Sequence, residues 1–357
     1  MSDGVLLVSP APDAGGVGQY ADQLAGELND TIANRLFLDR DGGPQQFVVQ
    51  AVKTGRTDAS VVHIQHVYGL FGSKSIYMWL FFPLIWTLLR LRGRSLVLTV
   101  HEVWTEQTVA SPLRSLKLGY IRVVNWALGR VATTVVFLSE SAASEFSPAP
   151  QNTAVVPHGV DLGTPDIDQP DARARFGYEP EDVVVAQLGY INRRKGPDVF
   201  VELAQESEQW EFLLAGGPRK AELEPFYREL LSTAPANVTA TGHLEAEAFH
   251  AAFSAADVVV LPYRTITQSG IFNWCAAYGL PVVASDIPYF SELAHEFDCV
   301  ELFPVEDVEQ ASERLSTVIS ETHRREELET NISQYASQHS LESVASEYRA
   351  IYEGVRK

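Results

Sequence analysis

Short β-branched runs alternate along this chain with longer stretches whose apolar residues recur at helical spacing. In the first half the runs fall at 5–9, 60–64, 95–100, 133–138 and 153–156, with a helix expected from about 18 to 29 and further helical stretches between the runs. In the second half they fall at 182–187, 210–215, 238–241, 258–261, 281–285 and about 299–302, with a helix starting at 197. The acidic stretch 308–357 reads as mainly helical. Strands this short and apolar, alternating with helices, predict an α/β fold with parallel sheets covered on both faces. A chain of 357 residues is long for one such domain and fits two. Residues 162–170, carrying Gly, Pro and Asp, read as the linker. Two Rossmann-like, doubly wound domains are therefore expected, at 1–163 and 171–342. The last segment, 343–357, is expected to leave the second domain and complete the first.

A hydrophobic fraction of 46% supports well-filled cores, and nothing is low-complexity, so disorder is excluded. The charge is unusual. Asp and Glu number 46 against 27 Lys and Arg, a formal net charge of -19, and lysines stand only at Lys53, Lys74, Lys117, Lys195, Lys220 and Lys357. Such a surface suits a high-salt cytoplasm, where screening tolerates self-repulsion, so a halophilic source is expected; an ordinary acidic protein is the other reading. The field repels phosphate backbones, and no nucleic-acid partner is expected. Cys275 and Cys299 form no CxxC pair, which fits a reducing compartment. Met1-Ser2-Asp3-Gly4 runs straight into an apolar strand without a charged leader, so the expectation is no signal peptide and a cytoplasmic protein.

Ligands of open α/β sheets bind beyond the carboxyl ends of strands, near helix amino termini. The first such junction, SPAPDAGGVGQY at 9–20, lacks both the GxGxxG spacing and the Lys-Ser/Thr ending of a phosphate-binding P-loop. Gly15 and Gly16 would let backbone approach a ligand and offer N–H groups at a helix start; a plain tight turn is the alternative. GYINRRKG at 189–196 is the sharper signal. Arg193, Arg194 and Lys195 stand between a buried strand and a helix amino terminus, where a diphosphate would be held. In a chain with six lysines, Lys195 is poorly explained by solubility. At Ser269, Gly270 and Ile271, a hydroxyl and amide groups either cap the next helix or bind phosphate, roles that look alike in sequence. His101, at a strand end, is the candidate for positioning a sugar, against satisfying buried backbone. His66 is a candidate for acceptor contact, with His63 of the same strand expected to share its face. His158 reads as structural.

These junctions occur in order as GGVGQY (15–20), VVHIQH (61–66), TVHE (99–102), PHGVD (157–161), GYINRRKG (189–196), LLAGG (213–217), ADVVVLPY (256–263) and SGIFNWCAAYGLPVVASD (269–286). Each is weak alone. The ordered set, spanning most of the chain, resembles the retaining, nucleotide-sugar-dependent glycosyltransferases of family 4. That resemblance implies the GT-B architecture, with two parallel sheets facing an interdomain cleft, an acceptor-side first domain and a donor-binding second one. It implies that Gly16 approaches the donor phosphates or sugar and that His101 contacts the donor sugar beside the reacting carbon. Lys195 and Arg193 would pair with the diphosphate, in a donor site that also holds Gly15, Gly189, Ser269, Gly270 and Ile271. The family usually needs neither metal nor cofactor, and a UDP- or GDP-sugar would be the co-substrate. It retains anomeric configuration by attack on the face the leaving group vacates.

Two departures stand out. The family often carries two glutamates eight positions apart, facing sugar and ribose, where this chain has Ile266 and Trp274. Its loop arginine is often at the place of Asn192, whereas here the arginines follow. A nucleotide-sugar epimerase or a phosphorylase of similar architecture, and a non-catalytic carbohydrate-binding protein, are the rival readings. The last leaves the Lys195 loop unexplained.

One window opposes the overall charge. Residues 75–89, SIYMWLFFPLIWTLL, carry no charge, are short for a membrane span and contain Pro83. Arg90, Arg92 and Arg94 follow, then Arg114, Lys117, Arg122 and Arg130, against only Glu102 and Glu106. Aromatic and arginine residues together suit a helix lying among lipid headgroups, with a buried core helix as the alternative. Peripheral contact of residues 75–130 with an anionic membrane is expected, at the inner face of the cell membrane, and with it a lipid-linked or other glycan-precursor acceptor.

Overall fold

The computed structural model describes residues 4–105, 109 and 113–356; Glu106 lies outside them. In chain order the first elements are β1 (Val5–Ser9), α1 (Gly16–Glu27), β2 (Ile32–Phe37), α2 (Pro44–Gly55), β3 (Val61–His66), α3 (Met78–Leu91), β4 (Ser95–Val100) and α4 (Arg114–Val131). They continue as β5 (Thr134–Phe137), α5 (Glu140–Glu145), β6 (Thr153–Val155), α6 (Gln169–Phe176), β7 (Val184–Leu188), α7 (Pro197–Glu206), β8 (Glu211–Ala215), α8 (Glu224–Thr233), β9 (Val238–Ala240) and α9 (Ala246–Ala255). The last are β10 (Val258–Leu261), α10 (Gly270–Ala277), β11 (Val282–Ser285), α11 (Pro288–Phe297), β12 (Glu301–Phe303), α12 (Val308–Ser320), α13 (Thr322–Gln338) and α14 (Leu341–Val355).

The strands form two six-stranded sheets, ordered β2-β1-β3-β4-β5-β6 and β12-β11-β10-β7-β8-β9. Every pairing is parallel. The inner strands are buried on both faces, as the continuous apolar runs require. In each sheet the first strand has neighbours on both sides, and the chain reverses direction of travel there. The switch points lie between β1 and β3 and between β7 and β10, which is where loops diverge and leave room for a ligand.

Two units are compact. One takes the residues through Gly159 together with those from Leu341, and the other runs from Val160 to Ser340. In the first, β3 and β4 pack one face against α3 and α4, with Phe81, Phe82, Ile85, Val124 and Leu128 in that core. The other face packs against α1 and α14. Helix α14 buries Leu341, Val344, Ala345, Tyr348 and Tyr352, a stripe at helical spacing. Tyr348 and Tyr352 are fully buried, and burial of each ring contributes about 2–3 kcal/mol. In the second unit, α7 and α8 cover one face of the sheet, and α9, α10, α11 and α13 the other.

Strand β2 has no counterpart in the sequence pattern. It sits at the sheet edge and does not alternate cleanly between buried and exposed residues: the neighbours Ala33 and Asn34 are both exposed.

Candidate functional site

In the second unit the carboxyl end of β7 runs into Gly189, whose φ of +95° favours glycine. A Cβ there would stand 2.7 Å from Ile271 Cδ1 and 3.1 Å from Lys195 Nζ. Gly189, Lys195 and Ile271 are thus brought into contact at the β7/β10 switch point. Lys195 ends a single helical turn, Arg193–Lys195, whose Asn192 side chain accepts a hydrogen bond from the Arg194 amide at 3.0 Å. At Gly196, with φ +60°, a Cβ would collide with the Pro262 carbonyl oxygen, so the position takes only glycine. Gln187 of β7 donates from Nε2 to the Lys195 carbonyl at 2.7 Å.

The Lys195 ammonium lies over the ring of Tyr263, 5.5 Å from its centroid. Among the described residues no carboxylate pairs with it, although the protein is strongly acidic. Burial, and secondarily Arg194, pull its pKa down to about 8. The turn itself is held by Arg264, which donates from Nη1 to Asp198 Oδ1 at 2.9 Å and to the Arg193 carbonyl at 2.6 Å. Arg264 Nη2 donates to Asp198 Oδ2 at 2.7 Å, and Nε pairs with Glu306.

Arg193 is placed differently from Lys195. Its guanidinium stacks on Phe226 of α8, 4.1 Å from the centroid. Ser269 caps α10, its Oγ accepting from the Phe272 amide at 3.1 Å. The Gly270 and Ile271 amides open the same helical turn, and the helix dipole adds positive field at that end. Ile266 and Trp274 pack against the core of this unit, and Trp274 lies edge-on to His250 at 5.0 Å.

In the first unit Gly15, at φ +120°, caps α1, and a Cβ on Gly16 would meet nothing within 4 Å. The glycine this loop cannot replace is Gly18, where a Cβ would stand 1.9 Å from Ala11 O. Around the carboxyl ends of β3 and β4 the side chains form a buried polar chain. His101 Nε2 is 2.6 Å from Gln65 Oε1, and Gln65 Nε2 is 3.1 Å from His63 Nε2. His63 continues to Thr99 Oγ1 at 2.8 Å and to Tyr352 OH at 2.7 Å. Tyr20 lies edge-on to His101 at 5.5 Å and tilted over His158 at 3.9 Å. Burial, followed by the neighbouring histidines, holds the His101 pKa well below its usual value, so the ring is neutral.

One expectation about this strand is corrected. His63 and His66 do not share a face: three residues apart in a strand, they point to opposite sides. His63 meets Tyr348 and Tyr352 of α14, whereas His66 packs among Tyr68, Phe71 and Phe82. His66 is also fully buried, in that aromatic cluster. Gln65, Tyr352 and Arg264 do not stand out in sequence, because His101, His63 and Glu306, with which they pair, lie 36, 289 and 42 positions away.

A third surface lies on α3 and α4. Trp79, Leu80, Trp86 and Leu91 of α3 are exposed, as are Leu116, Val123 and Trp126 of α4. Arg90 lies 5.5 Å over the Trp86 ring. The opposite stripe of α3, including Phe81, Phe82 and Ile85, is core. No helix among the described residues is long and apolar enough to cross a membrane. Among those residues no cluster of three or more His, Cys, Asp or Glu is arranged to hold a metal ion.

Two doubly wound parallel sheets, each with a junction site at its switch point, define a GT-B-type α/β fold of two Rossmann-like domains. Solved structures share it over nearly the whole chain. The Anabaena HepE structure in complex with UDP has a TM-score of 0.80 at 14% identity, covering 98% of this chain and 100% of that one. Sucrose-phosphate synthase from Thermosynechococcus elongatus has a TM-score of 0.76 at 17% identity, covering 99% of both. Residues 182–321 match the family described as "Glycosyl transferases group 1". The processive diacylglycerol alpha-glucosyltransferase of Acholeplasma laidlawii is 30% identical over 164 residues, covering 45% of this chain and 48% of its own length. The D-inositol 3-phosphate glycosyltransferase of Segniliparus rotundus is 29% identical over 228 residues, 59% of this chain and 50% of its own length. The chain thus spans about half the length of these curated relatives.

Proposed function

We propose that this chain is a retaining glycosyltransferase of family 4 that moves a hexose or related sugar from a nucleoside-diphosphate sugar to an acceptor hydroxyl. The observation that carries this reading is Lys195, half-buried with its ammonium beside Gly189 and Ile271 and with no carboxylate partner among the described residues. A cation so placed costs stability unless a ligand brings the anion, and a diphosphate fits its reach and charge. UDP is favoured as the nucleotide, since the HepE structures hold it, with GDP next.

In this reading the bond from the anomeric carbon to the diphosphate oxygen breaks, and its electron pair leaves on the diphosphate. Lys195 and the amides of Gly270 and Ile271 take up the developing charge. The acceptor oxygen bonds to the anomeric carbon on the same face, and its proton passes to the departing phosphate. Configuration is retained, no side-chain base is required, and no metal is invoked. His101 holds a sugar hydroxyl near the reacting carbon, and Gly15 and Gly16 supply backbone close to the donor. Arg193, stacked on Phe226, serves only by swinging off that ring.

The acceptor is proposed to be lipid-linked or another glycan precursor at the cytoplasmic membrane face. The exposed tryptophans and arginines of α3 and α4 support this, as does a relative whose name specifies diacylglycerol. The acidic, lysine-poor composition is proposed to be an adaptation to high salt.

A thermal-shift screen with UDP-, GDP-, ADP- and dTDP-sugars, at low salt and in concentrated KCl, tests the reading. A donor at about a hundred times its Kd adds about 2.7 kcal/mol of stability. One donor is expected to do so, and the effect to vanish in Lys195→Ala. Stabilisation by none of them at either salt would sink it.

A further inference from the structure

The buried chain His101–Gln65–His63–Tyr352 has only two self-consistent proton arrangements. In one, His101 donates from Nε2–H to Gln65 Oε1, and the Gln65 amide donates to His63 Nε2. Thr99 then also donates to His63 Nε2, Tyr348 donates to Thr99, and His63 Nδ1–H donates to Tyr352 OH. In the other the Gln65 amide turns over, donating to His101 Nε2 and accepting from the single Nε2–H of His63, Tyr352 donates to His63 Nδ1, and His101 carries its proton on Nδ1. His101 is 3% exposed, and its Nδ1 has no hydrogen-bond partner. The reversed arrangement would therefore bury an orphan N–H. An unmet buried donor is rarer and costlier than an unmet acceptor.

We propose that Gln65 is a positioning residue, itself oriented by His63 and Tyr352 of the carboxyl-terminal helix, that locks His101 in the Nε2–H tautomer and leaves its buried Nδ1 as a bare acceptor. A ligand that reaches that nitrogen meets an acceptor, which takes a hydroxyl proton and offers none to a ring oxygen or phosphate. The inference rests on the proposed sugar contact of His101 only for its use; the tautomer itself can be measured without any donor.

The test is long-range proton–nitrogen NMR on the full chain labelled with ¹⁵N-histidine, with His101 assigned by the signal lost in His101→Asn. The wild type is expected to show a neutral His101 with a protonated Nε2 and a bare Nδ1. In Gln65→Leu the Nε2–H tautomer should give way to a mixture. If that variant does not fold, Tyr352→Phe, at the far end of the chain, should shift His63 and then His101 in the same direction. A wild-type His101 protonated at Nδ1 overturns the proposal, as does a folded Gln65→Leu or Tyr352→Phe protein with an unchanged His101. UDP binding is measured on the same samples by calorimetry. It is expected to be equal in wild type and Gln65→Leu, because the uridine diphosphate does not reach the sugar contact. Failure of UDP to bind the wild type would count against the proposed function and leave the tautomer result to be judged by NMR.

Discussion

Arg264 grips Asp198 with two nitrogens, at 2.9 and 2.7 Å, and with the first of them also holds the carbonyl of Arg193 at 2.6 Å. The turn that carries Lys195 is therefore fixed from outside by a side chain about seventy positions away in sequence. Arg264→Met removes that brace and leaves Lys195 in place. Part of the pair is exposed to solvent, so the loss of stability is expected to be only about 1 kcal/mol. UDP affinity, by calorimetry, should fall roughly tenfold, since a turn that wanders holds the anion poorly. Unchanged affinity would remove the brace from the donor site.

Lys195 gives a pH signature. Its folded-state pKa, about 8, lies below the ordinary 10.5, so the folded protein releases this proton before the unfolded chain does. The charged form costs stability below pH 8, and that cost fades as the pH rises from about 8 toward the ordinary value. A bound diphosphate wants the charged form. UDP affinity should therefore fall as the pH rises through 8, approaching tenfold per unit. In Lys195→Met the affinity should be weak and nearly flat with pH, and the protein should melt no lower than wild type at pH 7. A steep pH dependence persisting in that variant would assign the proton elsewhere.

Two glycines should separate folding from binding. At Gly189 an added methyl meets Ile271 Cδ1 at 2.7 Å on a backbone with φ +95°. Gly189→Ala is expected to lose about 1–2 kcal/mol in urea unfolding. At Gly16 the same methyl meets nothing within 4 Å. Gly16→Ala should unfold like wild type and bind a donor sugar more weakly. Equal donor affinity would take Gly16 out of the site.

The α3–α4 surface is open to a vesicle-flotation measurement with anionic lipid. Replacing Arg90, Arg92 and Arg94 by alanine should weaken binding by up to about 1 kcal/mol per arginine near the surface. Adding salt should weaken the wild type as well. Indistinguishable flotation of wild type and triple variant would return the surface to ordinary solvent exposure.

The net charge of -19 predicts that melting temperature rises steadily with KCl from about 0.1 M to about 2 M, as self-repulsion is screened. A curve that is flat or falling over that range would contradict the high-salt reading.

Much of the fold is legible in one dimension because its strands are buried on both faces. A run such as VVHIQH or SLVLTV has few other ways to satisfy so much apolar surface. The edge strand β2 was not legible, since IANRLF is half-exposed and its pattern is set by one neighbour only. Lys195 stood out by its scarcity and its place after a buried strand. Arg193 beside it looked equivalent, and only packing separated the two, by offering Phe226 as a surface for its guanidinium. The shared face assumed for His63 and His66 failed on the strand's own period of two.

The sequence by itself determined the alternation of strands and helices, the glycines at the junctions and the lone lysine of the 189–196 loop. These are local properties, written in neighbouring residues and in backbone freedom. Tertiary structure alone decided the electrical and protonic state of the site. Whether Lys195 has a counter-ion depends on where Asp198 and Glu306 are drawn, and both are taken by Arg264. How His101 carries its proton depends on a tyrosine that α14 delivers from the far end of the chain. Buried polar groups must pair with whatever the fold brings within about 3 Å, and sequence order says little about which groups those are.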